Sequence, residues 1–132
     1  MFRVRCLFPF VLLMLIAGCG PMILFGAGTA AGIAGYKYYN GALTVVFEAP
    51  FKQTWNASLK AVKDMKLEIE NSEHKISTGS IKAKYPDRTP VSISVQYRTL
   101  KETEVEIRVG VLGDRDESMK IKEGIRKVLV GG

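Results

Sequence analysis

Two runs of strictly alternating residues, separated by a short polar break, constrain this chain more than any other feature. Val91, Ile93, Val95 and Tyr97 alternate with Ser92, Ser94 and Gln96. After a turn at Thr99 to Glu102, Val105, Ile107, Val109 and Val111 alternate with Glu104, Glu106 and Arg108. Successive side chains of a strand point to opposite faces, so each run is a strand with one apolar and one polar side. The short connection makes the pair an antiparallel hairpin. A sheet of such strands must cover its apolar face, and the sequence supplies two amphipathic helices to do so. Phe51, Trp55, Leu59 and Val62 recur at spacings of four, four and three, with Met65 three further on, opposite Lys52, Lys60 and Lys63. Ile121, Ile125, Val128 and Leu129 fall on one side of a second helix, which follows Gly113 and is capped by Asp114 or Asp116.

The remaining strands are weaker. Leu43 to Phe47 is rich in β-branched residues and stops before Pro50. Leu67 and Ile69 alternate with Glu68 and Glu70; a turn is expected over Asn71 to Lys75, and a further strand runs through Ile76, Ile81 and Ala83. Gly79 loosens that strand, and Thr78-Gly79-Ser80 reads as a bulge. Pro86-Asp87-Arg88 makes the next turn. The expected order over residues 42–132 is β-α-β-β-β-β-α. The fold class is α+β: a two-layer sandwich of an antiparallel sheet with both helices on one face.

The start of the chain has a different character. Arg3 and Arg5 precede an apolar stretch from Leu7 to Ile16, which ends in the small pair Ala17-Gly18. A basic start, roughly 7–15 apolar residues and small residues before a cut describe a secretory signal. Pro9 interrupts the run, which falls short of the about 20 apolar residues that cross a bilayer. Leu15-Ile16-Ala17-Gly18-Cys19 resembles the lipobox of bacterial lipoproteins. The resemblance implies that residues 1–18 are a signal peptide and that Cys19 becomes the first residue. It also implies a diacylglycerol thioether and an amide-linked chain on Cys19, and two such chains hold a protein stably where one does not. Gly20, in place of aspartate, directs such a protein to the periplasmic face of the outer membrane.

Cys6 would leave with the leader and Cys19 would be alkylated, so no thiol remains for a disulfide or a thiolate metal site. The net charge of +6 includes Arg3 and Arg5 and falls to +4 without them. The lysines are interleaved with acids and carry no nucleic-acid motif, so nucleic acid is not an expected partner.

Residues 19–41 form a membrane-proximal tether in this reading. Within PMILFGAGTAAGIAG, from Pro21 to Gly35, a helix would place Gly28, Gly32 and Tyr36 on one row, with Ala31 and Gly35 beside it. Tyr36, Lys37, Tyr38 and Tyr39 follow, like the aromatic and basic belt of a membrane boundary. Three readings stay open: a segment packed on or dipping into the bilayer surface, a disordered tether, and a helix that associates through its glycines. Gly26-x-Gly28 with Gly32 is not a dinucleotide fingerprint, because no strand precedes it.

Catalytic chemistry is not visible. The lone His74 falls in an expected turn, without the companion ligands a metal needs. No Gly-x-Ser-x-Gly elbow occurs. Glu102, Glu104 and Glu106 share a strand face about 7 Å apart, a spacing open to glycosidic chemistry. Solvation and cross-strand pairing with Arg98 or a lysine account for them more simply. The sequon at Asn56 lies within a helix and carries no meaning in a bacterial chain. Trp55 anchors its helix to the sheet or, alternatively, lines a groove between the layers.

The glycine-rich stretch after Cys19, the segment EAPFKQTWNASLKAVKDMKLEIE and the ending EVEIRVGVLGDRDESMKI are similar to a family of short bacterial lipoproteins of unknown function. The domain also resembles, in fold alone, the helix-grip domains of outer-membrane assembly lipoproteins. Together these imply a non-enzymatic envelope lipoprotein, without cofactor or metal, acting as an interaction or structural module. Its expected partners are the membrane, through Cys19, and an envelope protein. The alternative is a periplasmic carrier of lipid or another apolar ligand.

Overall fold

In the computed structural model the described residues are 32–131. The expected signal peptide over residues 1–18, Cys19 and the small-residue row through Gly28 and Ala31 lie outside them. Six strands and two helices follow one another as β1 (Ile33–Tyr39), β2 (Ala42–Phe47), α1 (Phe51–Asp64), β3 (Glu68–His74), β4 (Thr78–Lys84), β5 (Pro90–Thr99), β6 (Glu102–Val109) and α2 (Arg115–Gly131). The strands form one antiparallel sheet in the order β1-β2-β6-β5-β4-β3. The expected α+β two-layer fold is the fold observed, with one strand more.

The extra strand is β1, within the residues 19–41 that the sequence places in a tether. Asn40 and Gly41 both have positive φ, 51° and 82°, so they close a two-residue hairpin of the type that matches strand twist. Asn-Gly between apolar runs is a strong hairpin signal, and here it outweighs the small-residue spacing that favoured a helix. Gly35 and Tyr36 therefore lie in a strand, and Tyr36 to Tyr39 do not form a belt on one surface. Tyr36 and Tyr38 pair with Val45 and Leu43, which face the core, while Lys37 and Tyr39 take the opposite face. Lys122 of α2, itself buried, places its ammonium 4.2 Å from the Tyr36 ring centre and ties this edge strand to the helix layer.

The core lies between the layers. Leu43, Val45, Phe47, Val105, Ile107, Val109, Ile93, Val95 and Ile81 project from the sheet onto Val62, Ile121 and Ile125, all shielded from water. On α1 the most buried positions include the small residues Thr54, Ala57, Ser58 and Ala61, with Phe51, Leu59 and Met65 only half-buried around them. Small side chains let the helix settle close to the sheet, and the hydroxyls are satisfied locally. Thr54 Oγ1 donates to the Pro50 carbonyl at 3.0 Å, and Ser58 Oγ to that of Thr54 at 2.8 Å. Both edge strands carry a register shift, near Ala34 in β1 and Glu70 in β3, which discourages pairing with another sheet.

Several local expectations are corrected. Thr78-Gly79-Ser80, expected as a bulge, pairs regularly with β5; the irregularity of this hairpin is in β3 at Glu70, opposite Ala83 and Lys82. The β3–β4 turn spans Lys75 to Ser77, so His74 ends a strand and Ile76 leaves one. Val111 lies beyond β6, because Gly110 takes φ 77° and turns the chain out of the sheet.

Candidate functional site

The side chains named from sequence as possible chemistry do not converge. Glu104 sits opposite Gln96 and Val46, and Glu106 opposite Ser94 and Thr44, on the open face of the sheet. Arg98 falls in a register irregularity of β5, so the expected cross-strand partner is not alongside them. The ion pairs found among the described residues involve none of Glu102, Glu104 and Glu106. His74 is exposed, and its ring centre lies 5.1 Å from that of Trp55. Among the described residues no three His, Cys, Asp or Glu side chains are grouped to hold a metal ion. Trp55 is buried against β4, as an anchor between helix and sheet would be.

What the fold does assemble is an apolar end. The β1–β2 turn and the loop from β6 to α2 meet through glycines. The Gly113 α-carbon lies so close to the Gly41 backbone that no side chain fits between them. Arg108 reaches from β6 and donates from Nη2 to the Asn40 carbonyl at 2.8 Å, across 68 residues of chain. At this end stand Tyr39, the last residue of β1, and Val111 and Leu112 on the pinned loop, which are 72%, 84% and 90% exposed. Isolated exposed apolar residues are ordinary, but three gathered where two loops are in backbone contact form a patch. The sequence signal for it was present in Asn40-Gly41 and Gly110 to Gly113; its convergence was not.

The same end is braced on its inner side. Asp114 caps α2, its Oδ1 accepting from the Glu117 amide at 3.1 Å. Tyr85, half-buried, donates its hydroxyl to Glu117 Oε2 at 2.9 Å. Burial, and then the bond to Glu117, push the Tyr85 phenol well above the usual tyrosine range. The Lys120 ammonium, and then Tyr85, hold the Glu117 carboxyl low. A phenol that stays neutral in the fold contributes stability that is complete below about pH 10 and is lost as pH rises past it. Urea denaturation from about pH 9 to 11 is expected to show falling stability, with a shallower fall in Tyr85→Phe. Equal slopes for the two proteins would contradict this linkage.

A concavity of about 440 Å³ lies between the helices, floored by Ala61, Met65, Gly124 and Val128 and rimmed by Lys60, Asp64 and Lys127. Lys60 and Asp64 pair across one helical turn at 2.8 Å. It is a surface groove whose polar rim is that pair and Lys127.

No curated protein matches the sequence. A family described as "Protein of unknown function (DUF3568)" matches residues 3–128, and the chain belongs to that family.

Proposed function

We propose that this protein is a lipid-anchored module of the bacterial envelope, held by acyl chains on Cys19, that works by contact with an envelope protein and not by catalysis. The observation that carries the contact reading is the patch of Tyr39, Val111 and Leu112. It is water-exposed, yet its backbone is fixed by Arg108 and by the close approach of Gly41 to Gly113. A rigid apolar patch loses little conformational entropy on binding, which favours recognition. The lipobox-like stretch ending in Cys19 supports the anchor, and Gly20 supports the periplasmic face of the outer membrane. The alternative of a carrier needs room between sheet and helices. That space holds Phe47, Leu43, Ile81, Ile93, Ile107, Ile121 and Ile125, so the layers would have to part.

Two measurements on the full chain in intact cells test the proposal. Labelled palmitate should enter the wild-type protein and not Cys19→Ser, which should leave the membrane fraction. A photo-crosslinker at position 112 should trap a discrete envelope protein, and Val111→Glu should abolish the adduct. Identical fractionation of the Cys19 variant would remove the anchor; an absence of adducts above background would remove the contact.

A further inference from the structure

We propose that the opposite end of the sheet rests on the lipid surface, with Ile76 and Leu100 seated among the headgroups and Lys75, Arg98 and Lys101 against anionic lipid. The proposal builds on the Cys19 anchor. Ile76 is 97% exposed and Leu100 81%, each at the tip of a hairpin, the first between β3 and β4 and the second between β5 and β6. Turn positions favour Gly, Asn, Asp, Ser and Pro for backbone reasons, and neither aliphatic residue serves the turn it occupies. Nor does either serve the core.

The two tips are held in register. The Tyr97 amide donates to the Ser77 carbonyl at 2.8 Å, and the Lys75 amide to that of Thr78 at 2.7 Å. Lys75, Arg98 and Lys101 are exposed beside them, and Tyr97 is part-exposed on the same edge. Glu73 and Glu102 stand one step back along their strands, Glu73 accepting from Asn71 Nδ2 at 3.3 Å. Aliphatic tips, flanking cations and a tyrosine are the set that a membrane–water boundary accommodates.

Their position in the sheet supplies the direction. Ile33 pairs with Phe47, Phe47 with Thr103, Thr78 with Gln96 and Gly79 with His74. The first residue of β1 and both hairpin tips therefore lie along one end, within the about 24 Å spanned by six adjacent strands. Val130 of α2, also exposed, packs over Gly32 at this end. Twelve residues lie between Cys19 and Gly32, and the thirteen chain steps reach at most about 47 Å. Because β1 begins at this end, the chain from an anchor on Cys19 enters the sheet where Ile76 and Leu100 stand. Tyr39, Val111 and Leu112 stand at the far end of the strands.

The test places a single bilayer-sensitive fluorophore on the full lipidated chain, through Ile76→Cys, Leu100→Cys or Leu112→Cys. The chain is reconstituted in phosphatidylethanolamine–phosphatidylglycerol vesicles containing a lipid-borne nitroxide quencher. Labels at 76 and 100 should be quenched several-fold more strongly by the lipid quencher than the label at 112. An aqueous quencher should show the reverse order. Quenching no stronger at 76 and 100 than at 112 overturns the inference, as does shielding of 76 and 100 from both quenchers, which would mean a protein covers them. Flotation of the same samples separates the two failures. A chain that floats with unquenched tips defeats this inference alone, and one that does not float defeats the anchor and the inference with it.

Discussion

Replacing Trp55 with alanine should lower the stability of the domain by about 3–5 kcal/mol, a large part of the about 5–15 kcal/mol that holds a typical domain together. The indole is buried between α1 and β4. Its seat is Gly79, where an added β-carbon would lie 2.5 Å from Trp55 Cζ3 and 2.7 Å from Cε3. The ring also meets His74 at a tilt of 55°, an aromatic contact worth about 0.5–1.5 kcal/mol beyond its area. Gly79→Ala should therefore destabilise by about 1–3 kcal/mol through overpacking, although alanine suits a strand better than glycine does. The two effects are coupled. With Trp55→Ala already made, the methyl of Gly79→Ala enters space the indole has left, and its cost should vanish or reverse. Equilibrium denaturation of both single variants and the double variant measures this directly. Additive losses would show that Gly79 matters for its backbone and not as the floor beneath Trp55.

The second large effect is expected at Gly113. Its φ of 86° is one that side-chain-bearing residues rarely adopt, and a methyl there would overlap the Gly41 backbone. Strain and overlap act together, so Gly113→Ala should cost about 2–4 kcal/mol or force the two loops apart. Parting them displaces Leu112, whose backbone lies against Gly41, from the β1–β2 turn, so adducts from position 112 should weaken even where the chain still folds. Gly35→Ala is the comparison: an added methyl meets nothing within 4 Å, and the change should be neutral or stabilising by up to about 1 kcal/mol. Thermal melts with the crosslinking readout distinguish the two positions. Similar small effects at both would mean that the β1–β2 turn tolerates a looser seat than its geometry implies.

The misplaced residues share a location. Ile76 and Val111 fit the alternation of strands, yet both lie beyond them and are exposed at sheet ends; Tyr97 is in β5 as expected. An alternating pattern reports an apolar side chain at the right parity but not where a strand stops. Gly110 stops β6 before Val111, and the turn at Lys75 to Ser77 carries Ile76 outward. Apolar residues that satisfy the pattern without reaching the core are where function is to be sought. Each candidate surface proposed above includes one such position, Val111 at one end and Ile76 at the other.

Periodicity sufficed for what concerns a residue and its own element. It identified the inner faces of β5 and β6, the lysine-bearing outer face of α1 and an aspartate cap of α2 at Asp114 or Asp116, because strand parity, helix pitch and capping are decided within a few residues. The pairing of β1, the seating of Trp55 on Gly79 and the reach of Arg108 to Asn40 depend on residues tens of positions apart. Their energies arise only when the topology brings those residues together, and no local repeat records that encounter. The same reason explains the two ends of the sheet. Each is a meeting of turns from separate hairpins, which exists only once the strands have ordered themselves as β1-β2-β6-β5-β4-β3.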